Sequence, residues 1–179
     1  MNERKKPYTL PDAVQSVFWG YILISLHLNL GAIDILPDWL GYLFFLEALP
    51  LLTQESPSAA LLRPLGKALA VWNGFTWVAN ILGGDIVYAL NLIFSLISLY
   101  FHFQLLTELM TVAQNHQCSQ WKQLGRLRTA RTIILTIAAL PVNWEAHLWV
   151  YMGFAIVGLL VTAAICYELW GMKKEMQQK

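Results

Sequence analysis

Hydrophobic residues in this chain are gathered into six long runs, and most charged residues fall between the runs. A helix needs about 20 predominantly apolar residues to cross the hydrocarbon core of a bilayer. The pattern therefore predicts an all-α, polytopic integral membrane six-helix bundle over residues 13–170, with tails at 1–12 and 171–179. The predicted spans lie at about 13–31, 37–52, 65–83, 86–106, 127–142 and 146–170.

The fifth run is the shortest of the six. Its strictly apolar part, from Thr132 to Pro141, makes only about 15 Å of helix. Arg128 and Arg131 precede this part, and their side chains are expected to extend toward the headgroups. Hydropathy alone leaves open whether this segment crosses the bilayer completely.

The composition excludes other classes of protein. Hydrophobic residues make up 57% of the chain and charged residues 13%, whereas soluble domains have about 45–50% and about 25%. So few charged residues cannot cover so much apolar volume in water. The net charge of +1 argues against a nucleic-acid partner, because such proteins are usually strongly basic.

The positions of lysine and arginine predict the topology, because cytoplasmic loops keep an excess of positive charge. All 12 of these residues lie in the two tails, in the second-to-third and fourth-to-fifth connections, or at the span ends beside those connections. The other three connections carry Asp34, Asp85 and Glu145 instead. This predicts three helical hairpins with both termini in the cytoplasm, and it supports a crossing by the fifth run.

The N-terminal segment has some features of a signal peptide, since Arg4, Lys5 and Lys6 precede an apolar run. No suitable cleavage site follows, and His27 and Asn29 interrupt the apolar run. We interpret the segment as an uncleaved first span in a multi-pass protein of the plasma membrane.

Glu47 is the clearest candidate for a functional group in the predicted spans. It lies about 13 Å from the outer end of its helix, near the bilayer midplane. An ionisable group there costs several kcal/mol, so it suggests a proton or cation carrier or an anchor for a cationic ligand. The alternative is a neutral acid that bonds another helix, and Asn73, at similar depth, is the natural partner.

Further polar residues lie nearer the outer face and predict the wall of an outward-facing pocket. The predicted wall consists of His27, Asn29, Trp77, Asn80 and Asn91, above a floor of Glu47 and Asn73. The hypothesis is an intramembrane site for a small molecule or an ion, in a transporter or a transporter subunit. The same amides and the imidazole also suit ordinary hydrogen bonds between helices.

The sequence contains no recognisable catalytic or metal-binding motif. His102 and Glu108 are six residues apart, which places them on different faces of a helix and argues against a shared metal. No catalytic residue, metal or cofactor is predicted, and an enzyme, although unsupported, is left open.

A different class of function is a structural or regulatory membrane subunit that docks a protein partner. Its candidate surface is the basic segment 121–131, WKQLGRLRTAR, which also suits anionic lipid. Small residues at Ser16 and Gly20, and at Ala155 and Gly158, allow close approach of a neighbouring helix or a partner subunit.

Two resemblances bear on this choice. The segment Leu36-Pro37-Asp38-Trp39-Leu40-Gly41-Tyr42 resembles a group of small bacterial membrane proteins with an L-P-D-x-x-G-Y segment after the first span. That resemblance implies a bacterial inner-membrane location and no mechanism. The six predicted helices and cytoplasmic ends are similar to the substrate-binding subunits of energy-coupling-factor vitamin transporters. Those subunits dock through an alanine-x-x-x-alanine face on the first helix, which only Ser16-x-x-x-Gly20 approximates here.

Overall fold

The computed structural model describes residues 8–25, 29–30, 33–34, 37–84, 88–140 and 148–179. These residues form six α-helices, which confirms the predicted all-helical class, and one antiparallel pair of two-residue strands. The helices are α1 (Leu10–Ser25), α2 (Asp38–Glu55), α3 (Leu62–Ile81), α4 (Tyr88–Asn115), α5 (Trp121–Ala138) and α6 (Leu148–Gln178). The strands are β1 (Asn29–Leu30) and β2 (Ile33–Asp34), and a 3₁₀ turn, Pro57–Leu61, precedes α3.

The helices form a closed ring in chain order. Each helix packs against the next, α6 packs against α1, and α2 also contacts α4 across the centre. Lys173 near the end of α6 donates a hydrogen bond to the side chain of Gln15 near the start of α1, at 2.6 Å. Along its axis, the bundle of helices has two ends. We call the end that contains the start of α1 and the end of α6 the basic end, and the other the opposite end.

The helices extend further at the basic end than the predicted spans. α4 continues to Asn115 instead of about residue 106, α5 begins at Trp121 instead of 127, and α6 continues to Gln178 instead of 170. Side chains in these extensions are fully buried, namely Leu109, Val112, Leu124 and Met172. Hydropathy stops a span at the first polar residues, whereas an amphipathic helix continues while one face is packed.

The first and fifth predicted spans also differ from the structure. Residues 29–30, assigned to the first span, belong to β1, and the described part of α1 ends at Ser25. The last described helical residue of α5 is Ala138, whereas the fifth span was predicted to reach residue 142. Asparagine is a poor helix former because its amide competes for backbone hydrogen bonds, which agrees with the place of Asn29 in β1.

The half of the bundle that includes the opposite end has a strongly apolar surface; we call it the opposite half. Val71, Leu82 and Trp149 expose 73%, 79% and 83% of their area, and many other large hydrophobic side chains are exposed beside them. Within the described residues, two helical segments, Ala89–Asn115 and Met152–Gln178, are long and apolar enough to cross a membrane. The fold thus has apolar helices of membrane-spanning length and an apolar surface around them.

The helices α1 and α2 make the closest helix pair. A Cβ atom added to Gly20 would lie 2.9 Å from the carbonyl oxygen of Gly41, and one added to Gly41 would lie 2.8 Å from that of Gly20. Ser16, one turn earlier on the same face of α1, donates a hydrogen bond to Glu47 of α2 at 3.3 Å. The small residues of α1 therefore serve packing within the bundle, and this face is covered by α2.

Candidate functional site

A cavity of about 320 Å³ lies between α2, α3, α4 and α5, with Ile24 of α1 at its edge. It extends from the opposite end, at Asp38, Asn91 and Ala139, down to His102. We call it the polar cavity because four helices contribute polar side chains to it. These are Asp38, Tyr42, Asn73, Asn91, Ser95, Ser98, His102 and Arg131.

His102 forms the floor of the polar cavity and is only 3% exposed. Its ring centroid lies 5.5–6.0 Å from the centroids of the four surrounding aromatic rings, Tyr21, Tyr42, Phe45 and Phe101. Among the described residues, Nδ1 of His102 has no hydrogen-bond partner. A buried polar atom without a partner costs about 1–3 kcal/mol, so such atoms require an explanation.

Arg131 supplies positive charge in the middle of the bundle. Its Nη1 donates a hydrogen bond of 2.6 Å to Thr162 of α6, and its guanidinium carbon lies 5.2 Å from the centre of the Tyr21 ring. Its Nε atom is buried without a partner, and the ion pairs among the described residues do not include Arg131. The guanidinium group of Arg131 thus contacts a hydroxyl group and an aromatic ring. In the described part of the chain, no carboxylate lies within 4 Å of it.

Arg128 and Arg131 therefore do not reach outward as the sequence suggested. Arg128 donates a hydrogen bond to Thr107 of α4 at 3.0 Å and lies over the ring of Phe103. Both arginines project from α5 toward neighbouring helices because each finds a threonine hydroxyl there. Threonine partners on α4 and α6 are not visible from the hydropathy of the fifth run.

A second, larger cavity of about 550 Å³ lies between α1, α5 and α6. We call it the apolar cavity, because aliphatic side chains and small residues make up most of its lining. Ile24, Arg131 and Leu135 line both cavities. Arg131 consequently lies at the boundary between a polar space and an apolar one.

Asn73 and Asn91 of the predicted site line the polar cavity. Asn73 donates a hydrogen bond from Nδ2 to the backbone oxygen of Leu69 at 2.8 Å, which fixes the amide and leaves its Oδ1 atom as a free acceptor in the described structure. Asn91 is exposed, and it lines the part of the polar cavity that lies nearest the opposite end of the bundle.

Glu47 does not belong to this site. It is exposed on the α1 side of α2, bonded to Ser16, and it meets neither Asn73 nor the polar cavity. Glu47 is two residues from the fully buried Phe45, a rotation of about 200° around the helix. Its predicted depth in the helix carried no information about the face on which it lies.

The other predicted wall residues are dispersed. Asn80 is exposed in the last turn of α3, and Trp77 is half-buried outside the polar cavity. Trp72, earlier on the same helix, lines the cavity instead and stacks on Phe94 with ring centroids 4.2 Å apart. His27 lies outside the described residues, and so does the side chain of Asn29.

Six polar lining residues were absent from the predicted site: Asp38, Tyr42, Ser95, Ser98, His102 and Arg131. Tyr42 and Ser98 share a hydrogen bond of 2.9 Å between their hydroxyl groups, which joins α2 to α4. His102 and Arg131 are ionisable residues inside predicted spans, so the argument applied to Glu47 would have found both.

Glu108, the other ionisable residue of α4, belongs to a separate network. It is 2% exposed and accepts hydrogen bonds from Ser58, at 2.8 Å, and from Gln104. Ser58 lies in the turn before α3, so this contact ties α4 to the basic end. In the described part of the chain, no three histidine, cysteine, aspartate or glutamate side chains are arranged to hold a metal ion.

The segment 121–131 is the first half of α5. Leu124 and Leu127 are buried against the bundle, while Lys122 and Arg126 are exposed. The segment is amphipathic, as the sequence indicated, but its apolar face is already covered. Only its polar face is free to contact lipid or a partner.

The connection before α5 is held by the end of α6. Glu175 accepts hydrogen bonds from the backbone N–H of Ser119, at 3.2 Å, and from its hydroxyl group, at 3.1 Å. These bonds, led by the backbone one, lower the pKa of Glu175 below its ordinary value. Lys179 lies 3.5 Å from the same carboxylate. The carboxylate thus holds the connection before α5 against the end of α6.

The two serine hydroxyl groups that line the polar cavity are both engaged in hydrogen bonds. The Ser95 hydroxyl donates to its own helix at Asn91, and the Ser98 hydroxyl is bonded to Tyr42. No family model, curated protein or solved structure matches the chain. The chemistry of the polar cavity is therefore the main guide to a function.

Proposed function

We propose that this chain is a plasma-membrane protein that crosses the bilayer six times, with the basic end in the cytoplasm. In this proposal the polar cavity opens toward the outer face and binds a small molecule or ion, as a transporter or a transporter subunit. The site differs from the sequence-based one, because His102 and Arg131 replace Glu47 as its central groups.

The membrane part of the proposal is supported by surface chemistry and by charge. The opposite half exposes large hydrophobic side chains on α3, α4, α5 and α6, which suit lipid and not water. Arg63, Lys67, Lys122 and Lys174 are exposed at the basic end. Positive charge concentrated at one end is typical of a cytoplasmic face.

The binding part is supported by one observation: polar residues from four helices line a single cavity, and one of them is His102, whose buried Nδ1 atom has no hydrogen-bond partner among the described residues. A polar atom that remains unpaired in an apolar bundle lowers stability. A ligand or an ordered water that supplies the missing hydrogen bond offsets this cost when it binds. A binding cavity therefore explains why His102 is tolerated among four aromatic rings.

Filling the polar cavity is expected to abolish ligand binding. Ser95→Trp places an indole in the cavity, whereas the matched control Leu96→Trp places one on the exposed outer surface of the same helix. Native mass spectrometry of protein purified in mild detergent should detect a non-covalent small-molecule adduct in the wild type and in Leu96→Trp. The adduct should be lost in Ser95→Trp.

Two results would contradict this proposal. One is an adduct that survives Ser95→Trp at the wild-type level. The other is a preparation that contains a stoichiometric protein partner and no small molecule, which would favour a structural or regulatory subunit that docks through the polar face of residues 121–131.

A further inference from the structure

The two cavities meet at Arg131, and their linings differ in chemistry. Ile24, Arg131 and Leu135 form a common wall. On one side of it lie amides, hydroxyls and the imidazole of His102, and on the other side lie mainly the aliphatic and small side chains of α5 and α6. A molecule that occupies both spaces must have a polar end and an apolar end.

We propose that the site binds an anionic amphiphile, with a phosphate or carboxylate headgroup at Arg131 and a hydrocarbon chain in the apolar cavity. This inference rests on the proposed function and specifies the class of its ligand. In this proposal the bound anion is the headgroup of a membrane lipid or lipid-like molecule. The alternative that the test must distinguish is a free, soluble anion without a hydrocarbon chain.

The charge of Arg131 selects the headgroup. A guanidinium presents its N–H groups in a planar fork that matches carboxylate and phosphate oxygens, and it binds both strongly where water is excluded. One N–H group of Arg131 is bonded to Thr162, and the N–H of Nε is buried without a partner. Asp38, at the far end of the polar cavity, already has an interaction of its own. In the described part of the chain, Arg131 therefore has one unpaired N–H donor and no carboxylate within 4 Å.

The lining of the apolar cavity suits a hydrocarbon chain. Among the described residues, its polar lining consists of Arg131, Ser25 and Thr162, and the Thr162 hydroxyl is already bonded to Arg131 and to the backbone of Gly158. Gly158 leaves space in the cavity, because a Cβ atom there would meet only Ile134, at 3.7 Å. Ala155 and Leu159, which line the apolar cavity, are exposed, so this cavity faces the surroundings and gives a lipid chain lateral access.

The test uses dodecyl phosphate as the amphiphile and inorganic phosphate as the headgroup alone. Full-length protein in nanodiscs of neutral phosphatidylcholine is titrated with radiolabelled dodecyl phosphate. Arg131→Gln should weaken its binding by at least ~10-fold, since the headgroup loses its charge-assisted hydrogen bonds in a buried site. Arg131→Lys should retain part of the affinity, and the control Arg128→Gln, one turn away and outside both cavities, should bind like the wild type.

A second variant tests the chain-binding part. Gly158→Leu fills the apolar cavity and should weaken dodecyl phosphate binding, while a 100-fold excess of inorganic phosphate should fail to displace the amphiphile from the wild type. Wild-type affinity in Arg131→Gln or in Gly158→Leu would overturn the inference, and so would efficient competition by inorganic phosphate. If dodecyl phosphate does not bind but the native adduct is still lost in Ser95→Trp, the inference fails and the proposed function stands.

Discussion

Replacement of Gly41 by leucine is expected to prevent the bundle from folding. The backbones of α1 and α2 touch at Gly20 and Gly41, and a Cβ atom at Gly41 would lie 2.8 Å from a carbonyl oxygen of α1. A backbone oxygen cannot rotate away as a side chain can, so the two helices must separate. Their separation would open the contacts of Phe45 and Tyr21, which are fully buried in the core.

The smaller change Gly41→Ala gives a graded measurement of the same contact. Overpacking of a core typically costs about 1–3 kcal/mol, so the alanine variant should fold with a lower thermal unfolding midpoint. Gly153→Ala is the control, since a Cβ atom at Gly153 meets nothing within 4 Å and alanine favours a helix. A Gly41→Ala protein at least as stable as the wild type would show that the helices do not cross here.

Replacement of His102 by phenylalanine is expected to separate stability from binding. A phenyl ring fits among the four aromatic neighbours and removes the unpaired Nδ1 atom, so the thermal unfolding midpoint should stay the same or rise. The same change removes the polar floor of the cavity. The small-molecule adduct seen by native mass spectrometry should disappear.

Phe101, the residue before His102, provides a control for which the opposite result is expected. Phe101 is fully buried beside His102 and does not line the polar cavity. Phe101→Leu should therefore lower the unfolding midpoint, because it removes packed ring atoms from the core, and should keep the adduct. A destabilised His102→Phe protein that still holds its adduct would show that His102 serves the fold and not the site.

The number and order of the helices were predictable because a long apolar run is a local property of the sequence. The positions where helices end at the basic end of the bundle were not predictable from the sequence. The extension of α4 to Asn115, for example, depends on burial of Leu109 and Val112 by other helices. The strand pair was also unforeseen. Two residues, Asn29 and Leu30, are too few to show a periodic pattern.

Position along a helix is readable from sequence, whereas the direction of a side chain depends on its neighbours. Of the predicted site residues, Asn73 and Asn91 line the polar cavity, but Glu47 lies on the other side of its helix. Arg131 was assigned to the headgroups because its partner, Thr162, is 31 residues away in sequence. Only the packing of α5 against α6 reveals that this charge points inward.

The orientation of the polar cavity is tested most directly by chemical labelling in intact cells. In a Cys118→Ala, Cys166→Ala background, single cysteines are placed at exposed positions by Ser95→Cys, in the cavity, and by Lys122→Cys, at the basic end. A membrane-impermeant maleimide added outside should label Ser95→Cys, and it should label Lys122→Cys only after the cells are lysed. Labelling of Lys122→Cys in intact cells, with Ser95→Cys protected until lysis, would contradict both the topology and the outward-facing site.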